Sequence, residues 1–210
     1  MNAKQTTKGK VMPGSIAMHE PDLIEARRFL DLLDPVGTFT FQTFADKKSS
    51  SGGGRLNCVL HGSFDDHTEH LADLNRQGAG IFVMVNEGNG VVHPGNKTCR
   101  TAKNIIRVRC AFVDLDGSPL EPVLKAPLQP SIVVESSLNR WHAYWQIKDC
   151  PLEQFKLLQI ALAEKYDGDL AVNDLCRVMR LPGFFHKKND PFMTRIVDIN
   201  EVRSNNNGSN

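Results

Sequence analysis

Several features that would fix a class by composition are missing. The cysteines Cys58, Cys99, Cys110, Cys150 and Cys176 are odd in number and contain no Cys-x-x-Cys pair. Such a set offers neither a structural zinc site nor a redox couple, and reads as reduced thiols in a cytosolic protein. An excess of one charge is also lacking. The formal net charge is +1, so no global basic field announces a nucleic-acid partner, and only a local patch could serve one. No apolar run approaches membrane-spanning length, and residues 1–10 are polar and basic without a signal-peptide core. The expectation is a soluble, cytoplasmic protein with no membrane partner. His61, His67, His70 and His93 share no metal-ligand spacing, so they read as surface or core histidines.

What is present is an ordinary globular chain of 210 residues, long enough to bury a real core. Residues 1–18 mix Lys, Thr, Gly and Pro without periodicity and read as a flexible arm, and 201–210 read as a disordered tail. Between them, 19–200 alternate helical and strand signals. Leu23, Ala26, Leu30 and Leu33 recur at helical steps after Asp22, and Pro35 with Gly37 end the helix. Residues 38–44 alternate as a strand, with Phe39 and Phe41 forming one inward face rather than a base-stacking platform. The Ser- and Gly-rich stretch 47–55 is a loop, 56–61 a strand, 64–75 a helix and 81–85 a buried strand. Residues 118–130 are Pro-rich and predict neither a helix nor a central strand. Residues 151–166 form the clearest helix, with Leu152, Phe155, Leu158 and Leu162 along one side, and 195–199 a closing strand. The fold class is mixed α/β (α+β), with a largely antiparallel sheet flanked by helices.

The chemistry gathers around Cys-Ala-Phe-Val-Asp-Leu-Asp-Gly at 110–117, an apolar strand with acids at its tip. Side chains alternate along a strand, so Asp114 and Asp116 share a face. Adjacent carboxylates repel unless a cation intervenes, and Mg²⁺ is commonly held by such pairs together with substrate phosphates. Upstream, Lys103, Arg107 and Arg109 are cations suited to a polyanionic ligand. Strand alternation places Arg107 and Arg109 opposite Ile106, Val108, Cys110 and Phe112, away from the Asp114 face. They therefore suit a groove-lining or a structural role.

Downstream, a strand at 131–137 ends in Ser136 and Ser137, and Leu138-Asn139 reads as a tight turn into Arg-Trp-His-Ala-Tyr-Trp. Arg140, His142 and Tyr144 share one face, Trp141 and Trp145 the other. A cation beside an imidazole, next to two serines, is a plausible triphosphate clamp. The run from Asp167 to Gly183 then carries Asp169 and Asp174 ahead of Arg177 and Arg180, which would face one way on a helical turn, with Lys187 and Lys188 close behind.

Three blocks in this order, Phe-Val-Asp-Leu-Asp-Gly, Glu-Ser-Ser-Leu-Asn-Arg-Trp-His, and Gly168-Asp169 through Pro182-Gly183, resemble the archaeo-eukaryotic primase superfamily. The closest likeness is to its RepB-like primase and primase-polymerase branch of plasmids and prophages. It covers roughly residues 29–188. The resemblance implies a primase catalytic core with an RNA-recognition-motif-like half across 19–200. It implies that Asp114, Asp116 and a later acid hold metal; Asp169 is favoured for that acid and Asp174 is the alternate. It also implies that Arg140 and His142 contact nucleotide phosphates. Family members commonly carry Pro-Gly where Leu138-Asn139 stands, and Asn tolerates the left-handed turn geometry.

The expected activity is template-directed nucleotidyl transfer making primers for plasmid, phage or mobile-element replication. It would use two Mg²⁺ or Mn²⁺ ions, a single-stranded DNA template, NTP or dNTP, and a replicative helicase as a further partner. Asp114, Asp116 and Asp169 would hold metal. Ser136, Ser137, Arg140 and His142 would position the triphosphate, with Arg177, Arg180 and Lys187 as secondary contacts; His142 would also give a proton or hydrogen bond to developing charge. Lys103, Arg107 and Arg109 would contact nucleic acid. Two alternatives are a metal-dependent nuclease or phosphodiesterase, and a non-catalytic replication module that binds single-stranded DNA. A rolling-circle initiator is disfavoured, because no His-x-His pair accompanies Tyr144 or Tyr166, the only tyrosines.

Overall fold

The computed structural model describes residues 19–47, 53–92 and 100–197. The expected arm, the expected tail, His93, Cys99 and the middle of the 47–55 loop lie outside them. In chain order the elements are helix α1 (Leu23–Leu33), strands β1 (Phe39–Ala45) and β2 (Val59–Gly62), helix α2 (Phe64–Arg76), strand β3 (Ala79–Met84) and the short β4 (Glu87–Gly88). Then follow β5 (Ile105–Arg107), β6 (Cys110–Leu115), α3 (Glu121–Leu124), β7 (Ile132–Ser137), β8 (Arg140–Gln146) and α4 (Leu152–Tyr166). The last described elements are β9 (Val178–Arg180), β10 (Phe185–His186), β11 (Phe192–Met193) and β12 (Arg195–Ile196).

Two four-stranded sheets, ordered β2-β1-β3-β9 and β12-β7-β8-β6, form the body, with the ribbons β4-β5 and β10-β11 beside them. Every strand pairing among the described residues is antiparallel. The helices start where the sequence provides caps. Asp22 accepts from the N–H groups of Ile24 and Glu25 at the start of α1, and Ser63 with Asp66 forms a capping box on α2. Buried Phe29, Phe41, Phe112, Tyr144, Phe155 and Phe184 belong to one apolar cluster that joins both sheets. Truncating one such ring to Ala costs about 3–5 kcal/mol. A second cluster covers the other face of the second sheet, where Val113, Leu115 and Val133 meet Leu120, Val123 and Leu124, and Trp145 stacks on Tyr166 at 5.7 Å.

Three local expectations need correction. Residues 106–112 do not run as one strand: β5 pairs with β4, and the chain breaks before β6, where the Arg109 N–H donates to Asn86 Oδ1 at 3.1 Å. The Pro-rich connection includes a one-turn helix, α3, with Pro122 in its first turn, where the missing N–H is harmless. Arg177 and Arg180 do not share a helical turn, because residues 178–180 are captured as a strand by β3.

Strand β6 lies at the edge of its sheet, and its free backbone groups are satisfied by side chain and loop. Phe112 N–H donates to Gln159 Oε1 and Gln159 Nε2 donates to the Phe112 carbonyl, each at 3.0 Å. This buried glutamine fixes α4 along β6 and so decides where the chain emerges at Asp167.

Candidate active site

At the tip of β6 the next edge carbonyl, that of Asp114, accepts the backbone N–H of Asp169 at 2.9 Å. Helix α4 ends at Asp167 in a left-handed conformation, and Gly168 follows. A Cβ on Gly168 would collide with Val113 Cγ2 and lie 3.1 Å from the Asp114 carbonyl, so only glycine lets the loop come this close. The acids are thereby brought together. Burial first, then the charge of Asp169, raises the Asp114 carboxyl to about 6, against the opposing pull of Arg177 and Arg140.

The β7-β8 hairpin supplies the facing groups. Asn139 takes φ 59°, the left-handed turn geometry expected of it. The pairing shifts register between Glu135 and Ser137, a bulge that re-aims the two serines at the hairpin's end. Opposite Asp114 in the register stands His142, and Arg140 makes an ion pair with Asp116. His142 is buried, and burial, then the charge of Arg180, lowers it to about 3, so the imidazole is neutral at physiological pH. Tyr144 is held protonated by burial, and its hydroxyl lies 3.3 Å from His142 Nδ1. A Tyr144 O–H donating there leaves the imidazole proton on Nε2, the nitrogen 3.7 Å from Asp114 Oδ1. His142 is thus suited to give a hydrogen bond and not to give up a proton.

Two cavities open around these groups. The smaller, about 200 Å³, runs between the sheets, with Asp114, Ser136 and His142 on one wall and Phe82, Val178 and Arg180 on the other. The larger, about 540 Å³, lies between the β7-β8 hairpin and the β10-β11 ribbon and is lined by Arg140, Lys188, Asn189 and Phe192 among others. Asp116, Ser137, Arg140 and His186 line both. His186 Nε2 is buried with no hydrogen-bond partner among the described residues.

Other expected site residues are engaged elsewhere. Arg109 is 3% exposed and donates to Asp34 and the Thr38 carbonyl, while Arg107 is paired with Asp34 and Glu87. Lys103 is exposed on a 3-10 turn and lines neither cavity. Lys187 Nζ donates to the carbonyls of Asn75 and Arg76 at the end of α2, so Lys188 is the lysine that faces the cavity. Adjacent residues on an extended segment point in opposite directions, and sequence alone could not choose between them. Asp174 pairs with Arg177 at 2.7 Å, whereas Asp169 stands beside Asp114. Arg180 pairs with Asp46, a residue that carries no sequence signal.

Among the described residues no three acidic, His or Cys side chains are grouped as a ready metal cage. Asp116 is turned onto Arg140 and Asp174 onto Arg177. The donor chemistry nonetheless fits a divalent cation. Burial and the neighbouring charge of Asp169 disfavour the Asp114 carboxylate, and oxygen donors such as these acids suit Mg²⁺ or Mn²⁺.

The fold is shared with primase and primase-polymerase catalytic domains. The AEP domain of the cyanophage S-2L primase-polymerase superposes with a TM-score of 0.64 at 20% identity, over 86% of this chain and 91% of that one. Primase RepB′ gives 0.59 at 18% identity, over 89% of this chain and 64% of that one. The catalytic domain of primase RepB′ in complex with initiator DNA gives 0.56 at 17% identity, over 89% and 96%. No curated protein sequence matches the chain. Residues 100–204, half of the chain, match the RepB DNA-primase N-terminal domain, and the chain belongs to that family.

Proposed function

We propose that the cleft carries out template-directed nucleotidyl transfer, joining nucleotides into primers on single-stranded DNA with Mg²⁺ or Mn²⁺. The observation that carries this reading is a cleft that gathers Asp114, Asp116, Arg140, His142 and Arg180, with the Asp169 backbone held on the Asp114 carbonyl. A carboxyl whose charge is disfavoured by burial and by a neighbouring acid, next to cations and a neutral imidazole, matches the needs of a metal-bound polyphosphate.

Asp114, Asp116 and Asp169 would hold the ions. A bound pair supplies activation of the attacking 3′-hydroxyl and neutralisation of the leaving pyrophosphate. Asp116 would exchange Arg140 for metal, leaving the guanidinium to bind phosphate in the larger cavity with Lys188 and Ser137. His142 would donate its Nε2–H to an oxygen gaining charge. Arg180 would bear on the nucleotide from the opposite wall.

The test is incubation of the full chain with a single-stranded template, labelled NTP or dNTP in separate pools, and Mg²⁺ or Mn²⁺. Template-dependent product that disappears with chelator supports the reading. Degradation of the template without synthesis would point to a nuclease, and template binding that persists in chelator without product would point to a non-catalytic module.

A further inference from the structure

Asp46, at the end of β1, is among the least exposed acidic side chains, at 4%, and it touches two elements at once. Its Oδ1 accepts from Arg180 Nη2 at 2.8 Å, and its Oδ2 accepts the backbone N–H of Lys187 at 2.7 Å. Arg180 is thereby held over Phe82, its guanidinium carbon 4.6 Å from the ring centroid, on the cleft wall opposite His142. Lys187 lies between His186 and Lys188, two of the residues that line the larger cavity from the side of the β10-β11 ribbon. One carboxylate therefore fixes the direction of the cleft's arginine and the register of the segment that presents His186 and Lys188.

The space for this contact is made by Gly80. A Cβ there would meet Asp46 Oδ1 at 2.6 Å, Arg180 Nη1 at 2.7 Å and the Phe82 ring at 3.0 Å. Real Cβ atoms do not come within 3.0 Å of such atoms, so a side chain at position 80 would require Asp46 Oδ1 and Arg180 Nη1 to move from these positions. A buried ion pair is by itself weak evidence of stabilisation, because desolvation offsets its attraction. What distinguishes this pair is that its second oxygen is used on the neighbouring ribbon.

We propose that Asp46, seated over Gly80, is a positioning residue that aligns the two cationic banks for the triphosphate of the nucleotide. The inference rests on the nucleotide-binding reading above but not on the transfer reaction. Its direct readout is therefore binding: titration of the full chain with a nucleoside triphosphate in Ca²⁺, followed by steady-state incorporation in Mn²⁺. Asp46→Asn keeps an acceptor for Lys187 and loses the charge that holds Arg180. Gly80→Ala removes no polar group and displaces the same contact. Both variants should bind nucleotide roughly tenfold or more weakly, the loss expected for a hydrogen bond to a charged group, with KM raised while kcat changes far less. Asp46→Glu, which restores the charge on a longer arm, should recover part of the affinity. Folding is checked by thermal unfolding. If Asp46→Asn destabilises the fold, Gly80→Ala decides the matter. Wild-type affinity in folded variants, a loss confined to kcat, or no nucleotide binding by the unaltered chain would overturn the proposal. Variant-sensitive binding by a protein that makes no product would leave it standing and remove the polymerase reading instead.

Discussion

Asp169 gives its backbone N–H to the carbonyl of Asp114 at 2.9 Å, so the loop after α4 completes the edge of β6 and brings a second acid to the strand's tip. Gly168 permits that approach. Gly168→Ala should push the loop outward and destabilise the fold by about 1–3 kcal/mol through overpacking. It should also weaken Mn²⁺ binding, although every carboxylate is kept. Calorimetric titration with Mn²⁺ and thermal unfolding of the variant check both effects.

The raised pKa of Asp114 has a sign that can be measured without nucleotide. Its neutral form is favoured in the fold, so this contribution to stability is complete below the ordinary value of 3.8 and is lost as pH rises through about 6. Asp114→Asn should therefore stabilise the metal-free protein at pH 8, by up to about 3 kcal/mol, and give no gain at pH 4. Adding Mn²⁺ at pH 8 should stabilise the unaltered protein more than the variant. Thermal unfolding across pH, with chelator and with Mn²⁺, reads all of these outcomes.

Asp34 behaves in the opposite sense. Burial alone would raise its pKa, but the hydrogen bonds and charges of Arg109 and Arg107 outweigh that and hold it below the ordinary value. Its contribution is present above the ordinary value of 3.8 and is lost as pH falls through its lowered pKa. Asp34→Asn should unfold at lower denaturant than the unaltered protein at pH 7, because buried Arg109 loses its partner, and the two curves should converge in strong acid.

Lys187 and Lys188 should separate cleanly. Lys188→Ala should raise the nucleotide KM several-fold with little effect on stability, since its side chain only lines the larger cavity. Lys187→Ala should lower stability by about 1 kcal/mol through the lost contacts at the end of α2, with KM nearly unchanged. Kinetics and denaturant titration on the same preparations distinguish them.

Much of this arrangement is legible in the sequence. Period-two and period-3.6 patterns locate α1, α2, β6, β7, β8 and α4, and alternation puts Asp114 with Asp116 on one face of β6 and Arg140 with His142 on one face of β8; that the two pairs meet is set by the β6-β8 register. What escaped was decided by contacts between distant segments. Arg107 and Arg109 look like free cations in sequence, but Asp34 at the end of α1 claims both. Arg177 and Arg180 have helical spacing, yet β3 offers an edge and makes a strand of their segment. Asp46 has no neighbouring motif, and its importance lies wholly in reaching Arg180 and Lys187 across the fold.

The most direct measurement compares the unaltered chain with Asp114→Asn in template-dependent incorporation of labelled nucleotide, with thermal unfolding to show that the variant is folded. The unaltered chain should make product only with Mg²⁺ or Mn²⁺, and the variant should make at least about a hundredfold less, in line with the loss of a group that stabilises the transition state. Undiminished product from the folded variant, or synthesis that continues in excess chelator, would contradict metal-dependent transfer at this cleft.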